Sequence, residues 1–210
     1  TPGARNIISG NGESGIHIAS SGTSNNIVSG NYIGTNVNGT AKLGNTFIGV
    51  AITSGATSNI IGGTSEGARN IISGNNEQGV SIANLGTDNN VVSGNYIGTD
   101  VTGTAKLGNT WNGVAITDGA RSNTIGGTTP GERNIISGNK SDGVVIAHSG
   151  TNNNKVTGNY IGVDVNGTAD LGNTWDGVAI KEGSQSNTIG GMTPGARNII
   201  SGNGESGIHI

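Results

Sequence analysis

The feature that most constrains this chain is an internal repeat with a constant period of 64, which runs without insertion or deletion. The segment GARNIISGN begins at Gly3 and returns, with at most one substitution, at Gly67, Gly131 and Gly195. Self-similarity at a fixed period indicates a repeat architecture in which each unit packs against its neighbours. We therefore expect one solenoid domain over residues 1–210. Its units are 3–66, 67–130, 131–194 and a partial unit 195–210.

Each unit contains two copies of a short GxxI motif, and the intervals between copies alternate between 34 and 30. The motif begins at Gly15, Gly49, Gly79, Gly113, Gly143, Gly177 and Gly207. Two further short apolar segments lie between consecutive motifs, each bounded by Gly, Asn, Ser or Thr, which is typical of strands. The pattern predicts an all-β parallel solenoid with three short strands per coil. It also predicts about six coils, whose lengths alternate in the same way as the intervals.

Alternation within these segments predicts which side chains face the core. In the segment after each GxxI strand one column varies, whereas its neighbour is always Ile or Val, as at Val28, Ile61 and Ile125. Because side chains alternate across a strand, the aliphatic column should face inward. An Asn column precedes it, and its amides could hydrogen-bond from coil to coil. That column comprises Asn26, Asn59, Asn90, Asn123, Asn154 and Asn187.

Composition supports an all-β chain and narrows the classes of function. Ile and Val greatly outnumber Leu, which occurs only four times, and this balance disfavours helices. Charged residues make up 11% and the net charge is −3, so the chain offers no basic surface for nucleic acid. It has no Cys, which excludes disulfides and thiolate metal sites. No apolar run is long enough to span a membrane, and we predict no cofactor and no metal.

The GIxI strand, the SNNxIxGN turn and the NIISGN strand together resemble the repeats of the pectin lyase-like superfamily, and they cover the whole chain. The resemblance implies a right-handed parallel β-helix. Members of that superfamily include polysaccharide lyases, glycoside hydrolases, surface adhesins and structural repeats. The NTD, DD, GHG and RIK motifs of the hydrolases do not occur in this sequence, and neither does the lyases' combination of calcium-binding Asp residues with a basic residue. The resemblance therefore implies a fold without implying an activity.

Phe47, Trp111 and Trp175 recur with the period of the repeat and form the first candidate binding site. Two coils at the spacing of hydrogen-bonded strands place neighbouring rings about 9–10 Å apart along the rod. Exposed rings at that spacing could stack on alternate sugars of an extended polysaccharide. The alternative, which the sequence favours, is that the rings pack the end of an insert against the coil.

A second candidate comes from columns that carry titratable side chains on adjacent coils. Asp118, His148 and Glu182 occupy the same position, two residues after the GxxI strand, on three consecutive coils. A His between two carboxylates could act as an acid or base or help to hold a metal ion, although surface ion pairing is the simpler interpretation. Asp142 and Asp176 precede GxxI strands on adjacent coils and could share a proton or a cation.

Other periodic residues are expected to have structural roles. Asp100 and Asp164 lie in TDVTG and VDVNG, which faintly resemble calcium loops, but a turn-forming role is favoured. Val37 and Leu43 of the long insert, with their copies, should cover an apolar column on the third strand. If that column were left exposed, it would be a surface for a partner. That column comprises Tyr32, Ile71, Tyr96, Ile135, Tyr160 and Ile199. The RNIIS arginines, Arg5, Arg69, Arg133 and Arg197, should also be structural.

The near-identity of the units argues against a catalytic pocket, because such a pocket needs one coil to differ from the rest. Our first hypothesis is a structural or surface-display module that is secreted or lies at the cell surface. The chain would then be a segment of a longer array, or a self-stacking solenoid that forms filaments or is engineered. Residues 193–210 repeat residues 1–18 without change. This hypothesis therefore predicts that the partner is a second copy of the chain, joined head-to-tail. The second hypothesis is a polysaccharide-binding rod. The third is a carbohydrate-active enzyme that uses Asp118, His148 and Glu182.

Overall fold

The computed structural model describes residues 5–210. These residues form twenty short β-strands, and their helical structure is confined to three single 3-10 turns. The turns span Glu66–Ala68, Pro130–Glu132 and Pro194–Ala196. The strands are β1 (Ile7–Ile8), β2 (Ile16–Ala19), β3 (Ile27–Val28), β4 (Tyr32–Ile33), β5 (Val50–Thr53), β6 (Ile60–Gly62), β7 (Ile71–Ile72), β8 (Val80–Ala83), β9 (Val91–Ser93), β10 (Tyr96–Ile97), β11 (Val114–Thr117), β12 (Thr124–Gly126), β13 (Ile135–Ile136), β14 (Val144–Ala147), β15 (Lys155–Thr157), β16 (Tyr160–Ile161), β17 (Val178–Lys181), β18 (Thr188–Ile189), β19 (Ile199–Ile200) and β20 (Ile208–His209).

The strands assemble into three parallel sheets, and each complete coil contributes one strand to each sheet. The GxxI sheet contains β2, β5, β8, β11, β14, β17 and β20; the second sheet contains β3, β6, β9, β12, β15 and β18; the third contains β1, β4, β7, β10, β13, β16 and β19. In the GxxI sheet Ile16 pairs with Val50, and Val50 pairs with Val80, so the longer and shorter coils alternate in register. The predicted all-β parallel solenoid of about six coils with three strands each is thus confirmed.

A narrow aliphatic core runs through the coils, because alternate residues of each strand face inward. The GxxI strands supply two core residues per coil, such as Val114 and Ile116, which are fully buried. The second and third sheets supply one each, such as Ile125 and Ile136. β-Branched side chains suit this position because they pack well on a pleated surface. The inward columns predicted from the alternation are confirmed.

Asn side chains form three hydrogen-bonded ladders along the solenoid, of which the sequence pattern predicted one. In that predicted ladder, Asn90 Nδ2 donates to Asn123 Oδ1 at 3.1 Å, and the Asn90 backbone N–H donates to the same oxygen at 2.8 Å. The second ladder comprises Asn6, Asn31, Asn70, Asn95, Asn134, Asn159 and Asn198. The third comprises Asn11, Asn45, Asn75, Asn109, Asn139, Asn173 and Asn203. Burial of these amides is tolerated because their donors and acceptors are paired.

The long inserts stack on one another and cover the apolar column of the third sheet. The Val101 backbone N–H donates to the Gly39 oxygen at 2.9 Å, and the Val101 side chain packs in the same cluster as Tyr32. Ile71 and Tyr96 in this column are 0% and 6% exposed. Covering by the chain itself, rather than a bare partner surface, is therefore confirmed for the central coils.

The source of that cover differs from the prediction in the first unit. Val37 and Leu43 are 69% and 51% exposed, whereas Tyr32 is covered by Val101 from the next unit. The reason is that each insert Val packs on the Gly of the insert before it, as Val101 packs on Gly39 beside Tyr32. Among residues 5–210 no earlier insert lies next to Val37.

The arginines of the RNIIS segments add a second layer over the same column. The guanidinium carbon of Arg69 lies 4.2 Å from the ring centroid of Tyr96, and that of Arg133 lies 4.1 Å from that of Tyr160. Cations over aromatic faces at this distance are attracted by the ring quadrupole. The predicted structural role is confirmed for these two residues.

Candidate functional site

The periodic aromatic residues lie in one surface column, just before GxxI strands of alternate coils. Phe47 is 39% exposed, Trp111 is 49% exposed and Trp175 is 48% exposed. The Trp111 backbone N–H donates to the Glu77 oxygen at 3.1 Å, and that of Trp175 donates to the Ser141 oxygen at 3.2 Å. Each side chain therefore has a buried part and a solvent-facing part, so one column can both pack the insert and present rings to solvent.

A groove of about 400 Å³ lies between Trp111 and Trp175. It is lined by Thr110, Trp111, Asn112, Lys140, Ser141 and Trp175. Ser141 belongs to the coil between the two Trp residues, and its short side chain leaves the space between the rings open. Aromatic surface combined with a few hydrogen-bonding groups is the usual composition of a small-molecule or sugar site.

The equivalent space between Phe47 and Trp111 carries different side chains. Asn76 and Glu77 stand there at the positions of Lys140 and Ser141, and the Glu77 backbone N–H donates to the Phe47 oxygen at 3.2 Å. The Glu77 side chain is therefore attached midway between these two rings, at the position where the later coil has the shorter Ser141 side chain.

Sequence reasoning treated the three aromatic residues as one uniform ladder and missed the contribution of Lys140 and Ser141. The signal that could have found them was the change from NNEQ at 75–78 to NKSD at 139–142, which follows the repeated NIISG segment.

The second candidate group is brought together as the sequence predicts. His148 Nδ1 lies 2.7 Å from Asp118 Oδ1, and Nε2 lies 2.7 Å from Glu182 Oε2. Each ring nitrogen of His148 thus faces one carboxylate. The side chains are 48%, 49% and 54% exposed for His148, Asp118 and Glu182. Both ring nitrogens of His148 are therefore occupied by contacts within the cluster.

The backbone at this column is left-handed on each of these coils. The φ angles of Asp118, His148 and Glu182 are 55°, 74° and 57°. The same turn position has φ of 56° at Ser54 and 79° at Asn84. The unusual conformation therefore belongs to the turn and does not single out the three titratable residues.

Asp142 and Asp176 stack on adjacent coils, and their carboxylates contact different partners. Asp142 Oδ1 accepts the Asp176 backbone N–H at 3.1 Å, and Asp176 Oδ1 accepts that of Ser206 at 2.9 Å. The remaining oxygens face separate partners, Lys181 Nζ at 3.5 Å and His209 Nδ1 at 3.0 Å. These carboxylates extend a backbone-binding column, and a shared proton or cation stays a prediction.

The acidic residues of the long inserts close turns. Asp100 Oδ1 accepts the backbone N–H groups of Thr104 and Ala105, each at 3.1 Å. Asp164 Oδ1 accepts those of Thr168 and Ala169 at 2.8 and 3.0 Å. Hydrogen bonds from Ala169 and then Thr168 lower the pKa of the Asp164 carboxyl below its ordinary value. The turn-forming interpretation is confirmed, because these oxygens already bind backbone donors.

The aromatic column and the His148 cluster border the same sheet. Trp111 precedes β11 and Asp118 follows it, so the two groups flank the outward face of the GxxI sheet. Small apolar side chains occupy that face on the central coils, including Ala115, Val145 and Ala179. Fold and surface together define the class of this protein as a parallel β-solenoid with a lateral aromatic groove.

Within residues 5–210, no group of three or more His, Cys, Asp or Glu side chains is arranged to hold a metal ion. The same part of the chain has no helix with the length and apolar character needed to cross a membrane. Comparison with family models, with curated proteins and with solved structures found no match in any of the three.

Proposed function

We propose that this protein is a non-catalytic structural rod that displays a lateral aromatic site for an extended polysaccharide. The observation that carries this proposal is the open groove between the half-exposed rings of Trp111 and Trp175. The backbone hydrogen bonds at each Trp fix the backbone positions from which the two rings project. A scaffold that is already ordered reduces the ordering cost when a ligand binds.

An extended polysaccharide fits the spacing and the chemistry of the groove. Two coils separate the Trp residues by about 9–10 Å, a distance comparable with one disaccharide, so the rings can stack on alternate sugars. Lys140, Ser141 and Asn112 supply hydrogen-bonding groups between them for sugar hydroxyls. The groove is bounded by a ring at each end of a two-coil span, which suits a chain rather than a free monosaccharide.

The titratable clusters support a role without catalysis. His148 is held between two carboxylates through both ring nitrogens. Asp142 and Asp176 are buried, and each binds a backbone N–H of the next coil. These groups are engaged in holding the turns and the coil stack, so we assign them structural roles.

The first experiment is retention of the protein on a panel of neutral polysaccharides by native affinity electrophoresis. We expect retention on at least one extended glycan, and a loss of about fivefold or more in affinity for Trp111→Ala and for Trp175→Ala, since each removes an aromatic stacking surface. Leu85→Ala is the matched control, because Leu85 is an exposed apolar residue on another turn. Absence of retention on every glycan, or an equal loss in Leu85→Ala, would contradict the proposal.

Two further expectations belong with this proposal. Membership of the pectin lyase-like superfamily, with a right-handed coil, is supported by the three-sheet parallel architecture and by the GIxI, SNNxIxGN and NIISGN segments. A secreted or cell-surface location follows if the ligand is an extracellular polysaccharide. Head-to-tail association of copies stays a prediction, and light scattering over a concentration series would test it.

A further inference from the structure

A cluster of three lysines lies directly beside the aromatic groove, and only one of them, Lys140, also lines that groove. Lys42 and Lys106, from the first two long inserts, line a cavity of about 350 Å³ together with Lys140. Lys140 also lines the groove between the two Trp residues, so the two concave surfaces are continuous at this side chain.

Glycines let the first two lysine side chains lie flat along the solenoid. A methyl group at Gly74 would lie 3.0 Å from Cγ of Lys42, and one at Gly138 would lie 3.1 Å from Cγ of Lys106. Lys42 Nζ donates to the Gly108 oxygen at 2.7 Å, and Lys106 Nζ donates to the corresponding oxygen two coils later at 3.1 Å. Each of these hydrogen bonds uses one of the three ammonium donors, which leaves two for a ligand.

The ammonium groups of this cluster form no salt bridge among the residues that the structure describes. No carboxylate oxygen in residues 5–210 lies within 4.0 Å of Nζ of Lys42, Lys106 or Lys140. Burial, and then the charge of Lys140, lower the pKa of Lys42. Mutual repulsion of this kind is relieved when an anion binds between the ammonium groups.

The third unit differs at this position. Asp170 replaces the insert lysine there, and its Oδ1 accepts the Gly172 backbone N–H at 2.7 Å. The lysine cavity is therefore confined to the first two inserts and to the one coil that carries Lys140. This confinement makes it a local site on the rod.

We propose that Lys140, paired with Lys42 or with Lys106, forms a binding site for a tetrahedral oxyanion, either free sulfate or phosphate or a sulfate or phosphate ester on a polymer. Lys42 Nζ and Lys106 Nζ reach equivalent oxygens of Gly108 and Gly172, which lie two coils or about 9–10 Å apart, and Lys140 belongs to the coil between them. One anion therefore binds between Lys140 and one of the other two ammonium groups, since Lys binds such oxygens as a point charge.

Binding of a free anion does not require the aromatic rings, although Lys140 is shared with the groove. The ester source rests on the proposed polysaccharide function, because the polymer would then lie across Trp111 and Trp175.

The test is isothermal titration calorimetry of the full chain with sodium sulfate and sodium phosphate, against sodium chloride at equal ionic strength. We expect saturable binding that weakens about tenfold in Lys140→Met and in at least one of Lys42→Met and Lys106→Met, because each affected variant loses a charged hydrogen bond. Lys140→Arg should retain binding. Lys155→Met is the matched control, since it removes one charge from a different face, on β15.

Direct titration is needed because sulfate raises the melting temperature of most proteins by exclusion from their surface. No binding of either anion, or an equal loss in Lys155→Met, would overturn the oxyanion site. Neither result would affect retention on neutral glycans, so the failure of this site and that of the proposed function are distinguishable.

Dextran sulfate, compared with uncharged dextran, separates the two sources of the anion. If Trp175→Ala weakens binding of dextran sulfate and leaves binding of free sulfate unchanged, the ligand is an ester on a polymer. If Trp175→Ala changes neither, the site serves a free anion. If Lys155→Met abolishes retention on dextran sulfate as readily as Lys140→Met does, the retention reflects general charge attraction. That result would overturn the proposal.

Discussion

The two spaces between successive aromatic residues have the same scaffold and different chemistry. Between Phe47 and Trp111 the intervening coil carries Asn76 and Glu77, whereas between Trp111 and Trp175 it carries Lys140 and Ser141. The second space is an open groove of about 400 Å³. Three consecutive substitutions, from Asn76, Glu77 and Gln78 to Lys140, Ser141 and Asp142, thus change the charge of the surface.

This comparison shows that the solenoid separates the residues that hold the fold from those that set its surface. The Asn ladder that runs through Asn75, Asn109 and Asn139 is unbroken beneath both spaces, with Nδ2 to Oδ1 distances of 3.0 Å. Residues immediately beside the ladder vary without disturbing it. Binding chemistry should therefore be transferable from one coil to another by exchanging these neighbours.

The largest effect should come from breaking the ladder that both spaces share. Asn109→Ala removes the acceptor for the Asn75 backbone N–H and side-chain amide, and the donor to Ile72 and Asn139. Leaving these buried groups unpaired should lower the free energy of unfolding by at least ~3 kcal/mol. Urea denaturation monitored by circular dichroism measures the change. Asn38→Ala, at an exposed insert position, should shift the midpoint little, and equal shifts in the two variants would refute a special role for the ladder.

An intermediate effect is expected when the second space is converted into the first. Lys140→Asn combined with Ser141→Glu reproduces the side chains at Asn76 and Glu77. The introduced carboxylate starts between the rings of Trp111 and Trp175, so glycan affinity should fall about fivefold to tenfold, while the unfolding midpoint stays near that of the original protein. Native affinity electrophoresis reports the change, and unaltered retention would show that the two spaces are functionally equivalent.

The reciprocal exchange is the control for this prediction. Asn76→Lys with Glu77→Ser should open a second groove between Phe47 and Trp111, and Phe47→Ala should then matter for binding only in that background. An effect of Phe47→Ala in the original protein would show that the first space already binds ligand.

The sequence predicts the scaffold well because repetition fixes it. A constant period without indels, alternating aliphatic columns and Asn at regular offsets determine the three sheets, the register and the first ladder. The other two ladders were missed because their steps are uneven and their Asn residues are embedded in larger motifs. In the second ladder, for example, the step from Asn31 to Asn70 is much longer than the step from Asn70 to Asn95.

The site was harder to predict because it depends on departures from the repeat. The offsets of 30 and 34 residues between coils predicted that His148 lies beside Asp118 and Glu182, because stacking in register brings equivalent positions together. It could not give the depth of a groove or the reach of Lys42 along Gly74 to the Gly108 oxygen. Those features depend on side-chain rotamers and on which inserts lean over which coil.

The smallest effect is expected at the His148 cluster, which lies at the opposite end of the GxxI strands from the aromatic residues. A variant there tests whether the glycan binds at the aromatic side alone. His148→Asn removes both ion pairs, and Asn suits the left-handed turn because Asn84 has φ of 79° at the same position. The three side chains are about half exposed, so solvent screening should limit the loss of unfolding free energy to roughly 1 kcal/mol or less. Glycan retention should be unchanged, because the cluster lies across the sheet from Trp111. A clear fall in retention with an unaltered unfolding midpoint would instead show that the binding site extends across the face occupied by Ala115 and Ala179. The His148 cluster would then be part of the ligand-binding surface.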